Sequence, residues 1–262
     1  MDRNADAPWS KFDPEVYVDN NYRTPLEVDL LIVRLMRDWF SRCLTETGSG
    51  SAAAPGAVRG IDVGAGANLY PALAMLPWCE KVLLLEYALP NVEYLERQCS
   101  SGGYDTAWDA FWNELREAPA YAATEPRSRF AEIVRVERGN LFDLEDGSRR
   151  WDLGTMFFVA DSMSECADEF HRGVRCFMNA LSDGAPFATA FMKESVGYRV
   201  GDHDYPAYRV NEDQVRESLE PFTEELEIHD LHHMVRPGHE GMILALGRRN
   251  AVVAAPSERG PC

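Results

Sequence analysis

The sequence predicts an α/β fold wound on both faces of a mainly parallel sheet, with an antiparallel hairpin as its last element and a helical cap in front. Three observations carry this. From residue 58 onward, short apolar runs alternate with stretches of three- and four-residue apolar spacing. The run Arg59-Gly60-Ile61-Asp62-Val63-Gly64-Ala65-Gly66-Ala67-Asn68-Leu69-Tyr70 reads as a buried strand that breaks through a glycine turn into a helix. Near the end, apolar strands over 226–235 and 242–246 flank the turn-rich Arg236-Pro237-Gly238-His239-Glu240-Gly241.

Taken in order, the chain opens on an arm rich in aromatics and acids, with Trp9, Phe12, Tyr17 and Asn20-Asn21-Tyr22. Pro25 starts a helix over about 25–44, whose apolar residues recur at three and four. Small residues over 48–56 form a linker. After the strand at 58–63, helices are expected from Tyr70 to Met75 and from Pro90 to Gln98, around a strand from Val82 to Glu86. Trp108, Phe111, Trp112 and Leu115 share one helix face, read as core. Strands follow from Ile133 to Glu137 and over 151–159, then a helix from Glu169 to Leu181 and a strand from Pro186 to Phe191. The stretch from Lys193 to Tyr208 reads as a loop past a strand end, where such sheets build their sites. Asn211, with Gln214 three residues on, caps a further helix. Strand alternation with helices implies right-handed crossovers.

The 262-residue length suits one large domain or one with an appendage, and 45% hydrophobic residues supply a full core. A formal net charge of −17 argues against a nucleic-acid backbone or an anionic membrane as partner. The six cysteines include no C-x-x-C pair, so they read as reduced thiols, and neither a metal nor a disulfide framework is expected. The polar N-terminus and the lack of an apolar run near the ~20 residues of a membrane span point to a cytoplasmic protein, monomer or homodimer.

The glycine turn sets the ligand class. Leu69 stands where a dinucleotide motif needs its third glycine, and Asp62 places an acid at the turn, so a pyrophosphate fits poorly. S-adenosylmethionine, a sulfonium without phosphates, fits better. Glu86 ends the apolar run Val82-Leu83-Leu84-Leu85, 22 residues beyond Gly64, where an acid can take ribose hydroxyls.

Further residues make the chain resemble the small-molecule N-methyltransferases that act on nicotinamide, phenylethanolamine and indolethylamine. The likeness spans roughly residues 9–249 and rests on Phe12-Asp13-Pro14-Glu15-Val16-Tyr17 leading to Tyr22, on Asp62-Val63-Gly64-Ala65-Gly66 ending at Tyr70, on Glu86-Tyr87 with Asn91, and on His239-Glu240-Gly241. The resemblance implies a Rossmann-like class I methyltransferase sheet over 57–250, a lid over 1–48 and a disordered tail over 251–262. It implies that Tyr22, Asn68 and Tyr70 meet the methionine end of S-adenosyl-L-methionine, with Asp62, Gly64, Ala65 and Gly66 forming the turn. Glu86 would take the ribose, Tyr87 and Asn91 the adenosine, Asn140 and Leu141 the adenine, and Phe157 would lie beneath. Tyr17 would close over the acceptor.

The family's mammalian members place an acid just past the fifth strand, and by count that position here is Met192. A neutral acceptor is therefore expected, because an unpaired buried cation is costly. An indole-like ring bounded by Phe157, Phe158 and Tyr198, with Met192 also on the substrate side, methylated on nitrogen or at a nucleophilic carbon such as C3, fits specialised metabolism. His203, Asp204 or His239 would be the proton acceptor. The alternatives are a simple amine or pyridine acceptor, a non-catalytic S-adenosylmethionine sensor, and a dinucleotide-dependent reductase.

Overall fold

The computed structural model describes residues 3–45, 58–100, 102–232 and 238–251. The linker over 48–56, the tail beyond 251, His233 and most of the last hairpin's turn lie outside the described residues.

The arm is ordered. Short 3-10 turns at Asn4–Asp6 and Trp9–Lys11 lead into α1 (Pro14–Asn21) and α2 (Glu27–Thr45). Helix α1 starts because the Asp13 carboxylate accepts the Glu15 and Val16 N–H groups, both at 3.1 Å, just before a first-turn proline. Helix α2 buries one stripe, including Val28, Ile32, Val33, Met36, Trp39 and Phe40.

Then come β1 (Val58–Val63), α3 (Tyr70–Met75), β2 (Cys79–Glu86), α4 (Leu89–Gln98), α5 (Asp109–Leu115), α6 (Pro119–Ala122), α7 (Pro126–Ile133) and β3 (Val134–Arg138). The second half holds β4 (Leu153–Phe157), α8 (Ala167–Asn179), β5 (Pro186–Lys193), the short pair β6 (Tyr198–Val200) and β7 (His203–Tyr205), α9 (Glu212–Leu219), β8 (Thr223–Leu231) and β9 (Gly241–Arg249). The sequence reading did not anticipate α6 and α7, each opened by a proline in its first turn. It also took 193–208 for a plain loop, whereas β6 and β7 form a hairpin of three residues per strand. Strands that short carry too little alternation to be read from sequence.

The main sheet has seven strands in the order β3-β2-β1-β4-β5-β9-β8; β1 to β5 pair in parallel, and β9 runs antiparallel to both β5 and β8. Both faces are covered. Along β2, Val82 and Leu84 enter the core layer beneath α2, α3 and α5, while Leu83 and Leu85 enter the layer beneath α8 and α9. That is the period of two expected of a strand buried on both sides. The α5 aromatics Phe111 and Trp112 are core, as read from sequence. The order reverses between β1 and β4, so their carboxyl ends leave a crevice. Among the described residues no helix is long and apolar enough to cross a membrane, and the five described cysteines form no disulfide.

Candidate active site

A cavity of about 1230 Å³ of non-atom space, the solvent at its mouth included, opens above that crevice. Its floor is the turn after β1. Gly64 and Gly66 have φ of +64° and +58°, which disfavour any side chain. A Cβ on Gly64 would also come within 2.6 Å of Val159. The Gly64 and Ala65 N–H groups donate to the Leu85 carbonyl at 2.8 and 3.2 Å, tying the turn to the end of β2.

Glu86 is buried beside that turn. Its carboxylate accepts the Gly66 N–H at 2.8 Å and the Ala88 N–H at 2.7 Å, one on each oxygen. Burial pushes its pKa up, opposed by those two amides and by the Asn91 amide beside it. Glu86 also lines the cavity, where a ligand hydroxyl can reach its carboxylate. Asn91 does not line the cavity; it reaches the site through Glu86.

Of the other residues singled out from sequence, Tyr17, Tyr22, Asn68, Tyr87, Asn140, Leu141, Phe157, Phe158, Met192 and Tyr198 line the cavity. Asn140 also caps the 3-10 turn after β3, its side-chain oxygen accepting the Phe142 N–H at 3.0 Å. Asn68 accepts the Tyr70 N–H at 3.2 Å, while its amide nitrogen and the Tyr70 hydroxyl are buried without a hydrogen-bond partner. Tyr70 itself sits behind the wall, its ring 5.9 Å from Tyr22 and 5.6 Å from Phe157. Phe158 holds a φ of 58°, a strained conformation for a bulky residue, at the point where its ring enters the cavity.

Besides Tyr70 and Asn91, the structure corrects four further placements. Asp62 lies behind the turn rather than at its mouth, accepting the Thr155 hydroxyl at 2.7 Å from the adjoining strand. Burial pushes its pKa up to about 8, with Glu86 adding to the shift and the Thr155 hydrogen bond opposing it. His203 and Asp204 are exposed and do not line the cavity. Asp204 pairs across the hairpin with Arg199, on the face opposite Tyr198 and Tyr205, and its side chain is 82% exposed; His203 sits beside the hairpin's turn. His239 is buried, but its Nδ1 accepts the Gly241 N–H at 3.1 Å at the start of β9, away from the cavity wall.

Two buried acids were missed. Asp161 accepts the Met192 N–H at 2.9 Å and the Ser162 hydroxyl at 3.1 Å, fastening the ends of β4 and β5 together; burial raises its pKa to about 7. Asp29 lines the cavity from α2. Its signal in the sequence was an acid on the apolar stripe that continues at Val33, Met36 and Phe40.

The outer wall joins the arm to the hairpin. Trp9, Phe12 and Tyr198 each lie with ring centroids 5.3 Å from Tyr205, and Tyr17 lies 5.3 Å from Phe12.

Solved structures share this fold. They include the CcbJ methyltransferase from Streptomyces caelestis (12% identity, 94% of this chain and 99% of that one covered, TM-score 0.55). A S-adenosylmethionine-dependent methyltransferase from Clostridium acetobutylicum (11%, 90% and 97%, 0.54) and one from Methanosarcina mazei (11%, 76% and 94%, 0.51) are also similar. A comparison with curated proteins finds no matching sequence. A glycine turn and a buried strand-end acid at the switch point of this sheet define a class, the S-adenosylmethionine-dependent methyltransferases. Within it, the model of the NNMT/PNMT/TEMT family matches residues 3–249, and the chain belongs to that family. The residues present fit S-adenosyl-L-methionine: a turn no side chain can fill, a buried acid beside it on the cavity wall, and the Asn68 amide lining the same cavity.

Proposed function

We propose that the protein methylates a nitrogen or a nucleophilic carbon of a small, flat heteroaromatic molecule such as an indole. The observation that carries this reading is the aromatic character of the cavity lining, which includes Phe12, Tyr17, Phe158 and Tyr198 and suits a planar apolar acceptor.

When bound, S-adenosyl-L-methionine supplies a methyl group already activated on sulfur. The chain's contribution is then mostly placement and exclusion of water. Glu86 and the turn fix the donor's end of the cavity, while Tyr17 and Tyr198 confine the acceptor. The arm over 1–48 acts as the lid, its rings offering π surface to a cation beneath. The titratable side chains lining the cavity among the described residues are Asp29, Glu86, Tyr17, Tyr22, Tyr87 and Tyr198, with no histidine. This favours an acceptor atom that is nucleophilic before any proton leaves, such as indole C3 or a pyridine nitrogen, its proton lost afterwards where one must be. His203, Asp204 and His239 drop out as direct bases.

The test is a panel of indoles, pyridines and simple alkylamines incubated with S-adenosylmethionine and followed by mass spectrometry. Methylated indole or pyridine with matching S-adenosylhomocysteine is the expected outcome. Turnover confined to alkylamines would overturn the aromatic acceptor.

A further inference from the structure

Asp29 is 2% exposed, lines the cavity, and has no hydrogen bond or ion pair among the described residues. The same cavity is lined by the apolar Leu26, Phe157, Met192 and Met242. Helix α2 carries it over the sheet, packed against β5 and β9. An acid in a first turn is ordinary, since it favours the helix dipole, but exposed Glu27 already serves that end of α2. Dipole stabilisation gives no reason to bury a second carboxylate on the apolar stripe. Such a group is costly unless something pairs with it.

We propose that Asp29 is the cavity's ammonium-binding group, its carboxylate receiving a protonated primary amine carried by a bound ligand. This rests on reading the cavity as the methyl-transfer site. Two ligands can bring that chemistry: the methyl donor, through its α-amino group, and an acceptor with an aminoalkyl side chain. The surroundings are consistent with either. The phenols electrostatically coupled to Asp29 are Tyr22 and Tyr70, both held neutral by pKa values pushed well above their ordinary range, chiefly by burial, and a phenol brings no positive charge. Burial likewise raises Asp29 to about 7, the behaviour of a carboxylate whose counter-ion arrives with a ligand. The expectation of a neutral acceptor looked for an acid only just past the fifth strand; Met192 does line the cavity there, and the acid comes instead from the cap helix.

Calorimetry at pH 8 on the wild type and Asp29→Asn tests this, with S-adenosylhomocysteine, its analogue lacking the α-amino group, and tryptamine and indole in the presence of S-adenosylhomocysteine. If the ammonium is the donor's, Asp29→Asn weakens S-adenosylhomocysteine by roughly 10- to 100-fold, the usual weight of a charged hydrogen bond, and leaves the deaminated analogue unchanged. If it is the acceptor's, S-adenosylhomocysteine is unaffected and tryptamine weakens by a similar factor while indole does not. Because the substitution removes an unpaired buried charge, the ligand-free variant should melt no lower than the wild type, so lost binding is not lost folding. Equal binding of all four ligands to both proteins overturns the inference. A wild type that binds no S-adenosylhomocysteine overturns the methyl-transfer reading beneath it.

Discussion

On the sheet side of the cavity the hydrogen bonds that fix the wall are all donated by backbone N–H groups: Gly64 and Ala65 donate to the Leu85 carbonyl, Gly66 and Ala88 donate to the Glu86 carboxylate, and the Val159 side chain fills the space a Gly64 side chain would need. On the opposite side the arm and the hairpin meet through rings. Phe12, Val200 and Tyr205 form a small separate core there, and the Tyr205 hydroxyl reaches the Pro8 carbonyl at 3.4 Å across 197 residues of sequence. The first wall is set by the chain's local course and has one arrangement. The second depends on side chains from two distant segments packing together, so it can loosen or change composition without disturbing the sheet. A methyltransferase that keeps its donor and varies its acceptor has use for both.

The largest effect is expected at the turn. Gly64→Ala forces a side chain into a left-handed conformation and against Val159, a strain of about 1–3 kcal/mol. S-adenosylhomocysteine affinity should fall on the order of 100-fold, as expected when a binding backbone is displaced. Calorimetry beside a thermal melt checks it; near-normal binding would mean the turn is not the donor's cradle.

A smaller effect is expected at the ring wall. Phe12→Ala, Tyr205→Ala and the double variant should show a coupling of about 0.5–1.5 kcal/mol in stability, as for other aromatic pairs. Their kcat/KM for the acceptor should fall by roughly 10-fold while S-adenosylhomocysteine affinity stays within about twofold, since a lid acts on positioning. If affinity for S-adenosylhomocysteine falls as steeply as turnover, the two walls are one binding unit and the contrast between them fails.

The same contrast explains what the sequence disclosed. Gly64, Gly66 and Glu86 act through a strand end, a turn and the next strand end, so their spacing in the chain carries their spacing in space. The sheet was equally legible, because Val82 to Leu85 and their counterparts carry strand-like runs between helical spacings. Tyr17 and Tyr22 stood out as part of an aromatic arm, but a role for each came only through the family resemblance. Asp29 went unread because the helix over 25–44 was recognised from the spacing of its apolar residues alone, which passes over an acid lying on the same stripe. His203 and Asp204 were misplaced because a hairpin with three-residue strands gives no alternation from which to tell its inner face from its outer one. His239 is buried outside the cavity lining, its Nδ1 accepting the Gly241 N–H, a placement its position in the sequence does not disclose.

The smallest effect belongs to Asp62, whose place in the motif suggests a donor contact that its place in the fold denies. Between β1 and β4 its carboxyl accepts the Thr155 hydroxyl, and with a pKa of about 8 it is largely protonated at neutral pH. Asparagine has nearly the same shape as that neutral form and keeps an oxygen for Thr155. Asp62→Asn should therefore leave S-adenosylhomocysteine affinity within about threefold, since it removes no net charge at pH 7. Its mark should appear in the pH profile of stability. The folded-state pKa lies above the unfolded value, so the native state binds the extra proton; the stability this gives is fully present below about pH 4 and is lost as pH rises through about 8. Asp29 and Asp161, both raised to about 7, act in the same direction, so the ligand-free wild type should melt at progressively lower temperature from pH 4 to 8. In Asp62→Asn that decline should be shallower, most distinctly near pH 8, where the other two acids have largely finished titrating. A slope identical to the wild type's would show Asp62 ionised in the folded protein, and a 10-fold loss of S-adenosylhomocysteine binding would return it to the cradle.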